Sequence, residues 1–406
     1  MNSNKYREIA KRNERYAHTF RFLNNLSFSL PIWILFFNRD LGFSLAVSIF
    51  LGSSRWIVSS LCELPTGSWA DRFGRLKLLR IGMVGSVVTL IPFVLTKNLY
   101  ILFLAQIVGG VFAAMTTGVL DPLVKDSFVR AKKLDKFYKK YLSTNNAFLY
   151  TSRLISGVIG AWVYVKFPFG PYILDIMAGV LAFLVTFGLT EVWVKRSEAN
   201  SNYQQISEAL KYSYKHKYLR NFLIIVIIYT FVSESIWTSL QPIFDFRSIQ
   251  PEYFGVLFGL VAGASALGSY LYRLVPEKID SMTIRLYMTL GILLGALFMQ
   301  ISAVWGVILF AIVIGLSFGW ASVNAGLTIQ KHVEPHHQST MLSFYSFLGT
   351  IFYSLGSLMV GLYVGLFSVQ TLIFILLGQT IVAVGLVSLI ASFSVKFTPI
   401  GRREKQ

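Results

Sequence analysis

An all-α polytopic membrane protein, twelve transmembrane helices in two pseudo-symmetric six-helix halves, is the fold class that the sequence predicts, and three observations predict it. Apolar stretches of about twenty residues recur along the chain, the length a helix needs to cross a hydrocarbon core roughly 30 Å thick. The composition agrees: of 406 residues, 54% are hydrophobic and only 14% charged, with 34 Phe and 31 Gly. Finally, basic residues collect in alternate connections, as loops on the two sides of a membrane require.

Twelve spans follow in order, at residues 17–38, 44–66, 78–96, 99–121, 144–165, 171–193, 220–242, 254–274, 283–303, 305–328, 342–366 and 369–393. With the N-terminus inside, the two tails and the loops on their side hold 31 of the 37 Lys and Arg. The other side holds Arg39, Lys97, Lys166 and Arg247, while Arg55 and Arg153 lie within spans. That excess places both termini in the cytoplasm and the chain in the cell membrane. Residues 1–16 form a basic cytoplasmic tail, and the apolar segment after it lacks a small-residue cleavage site, so the tail reads as retained. The longest hydrophilic connector, 194–219, follows span six and carries a short basic amphipathic helix, Ile206 to Tyr214, at the membrane surface. It divides a six-helix bundle at 17–193 from a second at 220–393, and 394–406 form the C-terminal tail.

Several function classes drop out. A net charge of +18 does not mark a nucleic-acid binder here, because the charge is spread between spans instead of forming a basic face on a soluble fold. The single cysteine, Cys62, excludes an internal disulfide and a cysteine metal cluster. His332, His336 and His337 in HVEPHH lack a matching carboxylate or cysteine set and read as a solvated loop, so no metal is expected. There is no Gly-rich phosphate loop and no nucleophile–base constellation within the spans, so neither a cofactor nor an enzyme is expected.

The stretch CELPTGSWADRFGRLKLLRIG ends span two with an acid, a proline, glycines and a burst of charge. Gly67-Ser68-Trp69-Ala70-Asp71-Arg72 has a counterpart 201 residues later, Gly268-Ser269-Tyr270-Leu271-Tyr272-Arg273, at the equivalent place after span eight. Three identities in six at equivalent positions point to duplication of the two halves. The run from Gly67 to Lys77 resembles the loop signature of the major facilitator superfamily, G-x-x-x-D-R-x-G-R-[KR]-x, with the Asp, both Arg and both Gly matching and Lys77 displaced by one place. Glu63-Leu64-Pro65-Thr66-Gly67, with Asp121-Pro122 and Lys125-Asp126-Ser127 after span four, is similar to a bacterial branch of drug-efflux type.

In physical terms, Gly67 and Gly74 permit a tight reversal of the backbone and Arg72, Arg75, Lys77 and Arg80 hold the loop in the cytoplasm. Asp71 can accept backbone N–H bonds at a neighbouring helix N-terminus, and Arg75 can pair with Asp121 or Asp126. The resemblance implies that these contacts, with Glu63, act as a latch favouring an outward-open state. The alternative is that they only orient the loop.

Ionisable residues within spans are costly and mark pathways or partners. On span seven, Thr230, Glu234, Trp237, Thr238 and Gln241 share one helical face. The resemblance implies that spans one, four, seven and ten line a central cavity. Glu234 is therefore the first candidate for a carboxylate that carries a proton or meets a substrate cation. The alternative is a fixed ion pair with Arg55 or Arg153, which are themselves candidates for an anionic substrate. Trp320, Asn324 and Thr328 on span ten, Asn24, Ser27 and Pro31 on span one, and Thr116 and Thr117 on span four extend the expected lining. Asp175 and Glu191, near the two ends of span six, read as interfacial.

Drug/proton antiporters commonly carry Gly-Pro-x-x-Gly-Gly in span five, where this chain has Ser156-Gly157-Val158-Ile159-Gly160-Ala161 without the proline. The second-half loop has Tyr272 in place of the acid. The expected function is alternating-access secondary transport, exporting an amphipathic small molecule in exchange for protons, by a monomer in the lipid bilayer with no nucleic-acid partner. A lipid or anionic-metabolite carrier, and a non-transporting sensor on the same scaffold, remain as alternatives.

Overall fold

The computed structural model describes residues 3–117, 119–131, 134–192, 202–276, 279–301, 303–334 and 338–394. Its regular elements are all helical: α1 (Ser3–Asn24), α2 (Trp33–Leu35), α3 (Leu45–Phe73), α4 (Arg75–Val88), α5 (Pro92–Leu95), α6 (Leu99–Thr116), α7 (Leu120–Arg130), α8 (Leu134–Lys166), α9 (Gly170–Val185), α10 (Asn202–Lys215), α11 (Lys217–Phe246), α12 (Phe254–Leu271), α13 (Ser281–Phe298), α14 (Val304–His332), α15 (Gln338–Leu366) and α16 (Val369–Ser394). Packing separates two compact units, Met1–Gly42 with Leu51–Asn202 and Gln250–Val256, and Phe43–Phe50 with Tyr203–Ile249 and Leu257–Gln406.

Among the described residues, eleven helices are long and apolar enough to cross a membrane. The missing one is span one, expected as a continuous helix at 17–38. Instead α1 begins at Ser3, in the expected tail, and stops at Asn24. Helix resumes only at Trp33, as α2 and a π-helical turn at Phe36–Asp40. Local chemistry explains the interruption. Asn25 donates its side-chain amide to the Arg21 carbonyl at 2.8 Å, taking an acceptor that the helix would use. Pro31 offers no N–H and disfavours the α conformation at Leu30.

A second difference lies at the end of span two. The stretch from Gly67 to Arg72, expected to form the reversing loop, continues α3 as far as Phe73. The reversal is made at Gly74 alone, whose φ of 94° is a left-handed value that a side chain disfavours, and α4 starts at the next residue.

In the first unit, α1 packs against α7, α8 and α9, and α4 against α6 and α9. In the second, α11 lies against α13, α15 and α16, and α13 against α14 and α16. Helices in lipid gain nothing hydrophobic by associating, so close backbone approach at small residues matters more. On α14, a Cβ added to Gly319 would sit 2.1 Å from the Ser265 carbonyl oxygen of α12, which can move only with its backbone. Gly319→Ala is therefore expected to destabilise the second unit by about 1–3 kcal/mol, measured as a lower unfolding temperature in detergent.

Candidate functional site

Span seven is the helix α11, and its polar face is buried against α15. Glu234, Thr238 and Gln241 are 4%, 4% and 2% exposed. The Thr238 hydroxyl lies 2.9 Å from Glu234 Oε1 and 3.1 Å from Ser357 Oγ, and Tyr353 supplies a further side-chain hydrogen bond to the carboxyl group. Gly356 lets α15 approach, since a Cβ there would lie 3.1 Å from Glu234 Cβ. Among the described residues no basic side chain pairs with Glu234, so its partners are hydroxyl groups. Hydroxyls rotate and can serve either a charged or a protonated carboxyl. Trp237 is turned to other neighbours, packing edge-on against Phe258 at 4.9 Å between centroids and also against Phe318.

Asn324, expected on the cavity side of span ten, is fully buried and occupied. It accepts from Arg285 Nε at 2.8 Å through Oδ1 and donates through Nδ2 to the Tyr272 hydroxyl at 3.1 Å. Arg285 was not distinguishable from a loop charge in the sequence, because it stands at the edge of the expected ninth span. In the structure it is 1% exposed, and it also donates to the Ala321 carbonyl at 3.2 Å and the Tyr345 hydroxyl at 3.4 Å. The rings of Tyr229 and Phe222 flank its guanidinium at 5.3 and 5.5 Å. Among the described residues no carboxylate pairs with this cation.

In the first unit, the break in span one is fastened by its neighbours. Asp175 of α9 accepts the Phe28 N–H at 2.6 Å on Oδ1 and the Ser29 N–H at 3.2 Å on Oδ2. The Ser27 N–H goes to Ser156 Oγ of α8 at 2.9 Å. A Cβ on Gly160 would fall 1.9 Å from the Phe28 carbonyl oxygen, so this glycine lets the irregular backbone lie against α8. The span-five stretch that lacks the antiporter proline thus supports span one. Asp175, read as interfacial, thus holds open backbone of span one, and Arg55 is near enough to interact with its charge. Arg55 itself is half-buried on α3 and packs over the Gly109 backbone beside Thr89. Arg153 is exposed on α8, and Asn24 is exposed at the end of α1.

At the turn between spans two and three, Arg75 Nη1 pairs with Asp126 Oδ2 at 3.0 Å. Asp121 is engaged elsewhere, accepting from the Tyr141 hydroxyl at 2.8 Å and from Asn145 at 3.1 Å. The N-terminus of α4 is capped by Glu191, whose carboxylate takes the Arg75 N–H at 2.8 Å and the Leu76 N–H at 3.2 Å. An anion at this end also meets the helix dipole favourably. Glu191, read as interfacial, is thus a capping residue, and Gly74 gives it room: a Cβ there would lie 3.2 Å from Glu191 Oε2. Glu191→Ala is expected to cost about 0.5–2 kcal/mol, visible as faster amide exchange at Arg75 and Leu76. Glu63 is half-buried on α3, while the side chains of Asp71 and Arg72, and the surroundings of Gly67, lie outside the described residues. His336 and His337 also lie outside them, and His332 stacks on Tyr218 at 4.2 Å.

The family model described as Major Facilitator Superfamily matches residues 19–357. Among solved structures, the nucleoside transporter NupG is similar with a TM-score of 0.78 at 14% identity, over 95% of this chain and 100% of that one. A POT family transporter in complex with 5-aminolevulinic acid gives 0.77 at 13% identity, over 95% and 96%. A bacterial homologue of the human lysosomal transporter Spinster gives 0.68 at 12% identity, over 96% of each chain. None of the curated protein sequences compared with the chain matches it. The family match runs from span one into span eleven and the likeness in fold extends over nearly the whole length, so the chain belongs to the Major Facilitator Superfamily and is a multi-pass membrane transporter of that type.

Proposed function

We propose that the chain is a proton-coupled secondary transporter of the cell membrane that exports an amphipathic small molecule, with both termini cytoplasmic. The halves at 17–193 and 220–393 work by alternating access, and Glu234 carries the proton. The observation behind this reading is the Glu234 carboxyl group itself: buried well inside α11, hydrogen-bonded to Thr238 and Tyr353, and without a basic partner among the described residues. An acid within a membrane helix that is not neutralised by a fixed cation is suited to binding and releasing a proton as the surroundings change. The solved relatives in fold support a small organic cargo, since one is a nucleoside transporter and another holds 5-aminolevulinic acid. In the loop, the Arg75–Asp126 pair, with Gly67, Asp71, Arg72 and Glu63, is read as the latch that holds one state.

A second reading, carriage of an anionic metabolite, is favoured by Arg285, a buried cation with neutral partners only among the described residues. Uptake into inverted membrane vesicles tests both. Under an imposed proton gradient, accumulation of rhodamine-type amphipathic cations supports the first reading. Accumulation of carboxylate dyes alone supports the second. No gradient-dependent uptake of either class counts against proton-coupled export.

A further inference from the structure

We propose that Asp175 is a second proton-binding residue of this transporter: its ionised carboxylate fastens the break in span one, and its protonation releases that break. The inference rests on reading the chain as a proton-coupled carrier and adds a site in the first unit to the one assigned to Glu234.

Irregular backbone at membrane depth is tolerated only where protein or a water-filled cavity satisfies its polar groups. Between Asn24 and Trp33 this requirement falls on few side chains. Ser156 takes the Ser27 N–H, while the N–H groups of both Phe28 and Ser29 are taken by the two oxygens of Asp175. The Phe28 peptide is thus held from two sides, its N–H by Asp175 and its carbonyl against Gly160. Of these two contacts only the first can titrate.

Proton binding changes that contact in a defined way. Ionised, the carboxylate has two acceptor oxygens for three donors, the two N–H groups and the Ser29 hydroxyl, in charge-assisted bonds of the stronger kind. Protonated, one oxygen carries an O–H and becomes a poorer acceptor, the bonds to all three donors lose their charge assistance, and the attraction to Arg55 is lost. The titratable and charged groups around Asp175 are Arg55 from α3 and Tyr172 from its own helix; Tyr172 in turn meets Tyr164 from α8, whose hydroxyl donates to Asp40 at 2.7 Å. The helices α1, α4 and α5 also pack on α9, and none of their described titratable groups interacts with Asp175. The sign follows: the break is held at high pH and loosened at low pH.

Amide hydrogen exchange on the full chain in lipid nanodiscs tests this directly, with protection factors corrected for the intrinsic pH dependence of exchange. For the amides of Phe28 and Ser29, protection is expected to fall about tenfold from about pH 8 to about pH 4, across the range in which carboxyl groups titrate. Asp175→Asn, which faces one of the two N–H groups with an NH2, is expected to give low protection at both pH values. Glu234→Gln is expected to keep the native pH response. Native protection that is unchanged between the two pH values overturns the proposal, as does native-like protection in Asp175→Asn at high pH. If that variant does not fold, the native pH series decides. Gradient-driven uptake with flat protection removes Asp175 and leaves the coupling reading standing. A pH response without gradient-driven uptake supports Asp175 as a proton site and counts against proton-coupled export.

Discussion

In inverted vesicles containing Glu234→Gln, gradient-driven uptake is expected to fall to the level of vesicles without the transporter, while exchange of substrate across the membrane without a gradient persists. Gln has the shape of a protonated Glu and can hydrogen-bond the same hydroxyls of Thr238 and Tyr353. The buried face of α11 should therefore remain packed on α15, with little change in the unfolding temperature. What the variant loses is the ability to take up and give back a proton, so the expected loss is confined to coupling. Full gradient-driven uptake by Glu234→Gln would remove Glu234 from the mechanism. Loss of both gradient-driven uptake and exchange would show that the side chain serves structure or substrate binding instead.

The second large effect is expected at Arg285, where two substitutions should differ in kind. Asn324→Leu removes the acceptor 2.8 Å from Arg285 Nε and leaves a fully buried cation with one partner fewer. A hydrogen bond to a charged group contributes about 1.5–3 kcal/mol, so a loss of stability of that order is expected. Arg285→Met removes the charge and keeps an apolar chain against Phe222 and Tyr229, but it leaves Asn324 Oδ1 without its donor, and a buried group left unsatisfied costs about 1–3 kcal/mol. Thermal unfolding of the two purified variants provides the comparison. A stable Arg285→Met that no longer accumulates carboxylate dyes would locate the anion preference in this cation. A stable variant with native transport would reduce Arg285 to a tie between α13, α14 and α15.

The fold was largely legible because the bilayer sets the length and composition of each span, and the eleven long apolar helices follow from that alone. Span one was less so. Asn24, Ser27 and Pro31 were visible as a polar set, but a polar stripe on an intact helix and a break look alike until another helix is seen to supply hydrogen-bonding partners. Those partners, Asp175 and Ser156, are more than a hundred residues away. Glu234 stood out because it lies deep in an apolar span. Asp175, Glu191 and Arg285 did not, since each lies near a span end, where a charge normally reaches water. What distinguishes them is which neighbour they meet. Asp175 meets open backbone, Glu191 a helix N-terminus and Arg285 an amide with two aromatic rings.

The interrupted first span also constrains biogenesis. When α1 and α2 leave the ribosome, the helix that provides Asp175 has not yet been synthesised. The N–H groups of Phe28 and Ser29 would then face lipid with no partner, and each such group costs several kcal/mol in hydrocarbon. A nascent chain truncated before α9 must therefore either keep this segment within the translocon or at the bilayer surface, or wind it into temporary helix. Span one reaches its final form only once span six has arrived, so this segment settles no earlier than one translated more than a hundred residues after it.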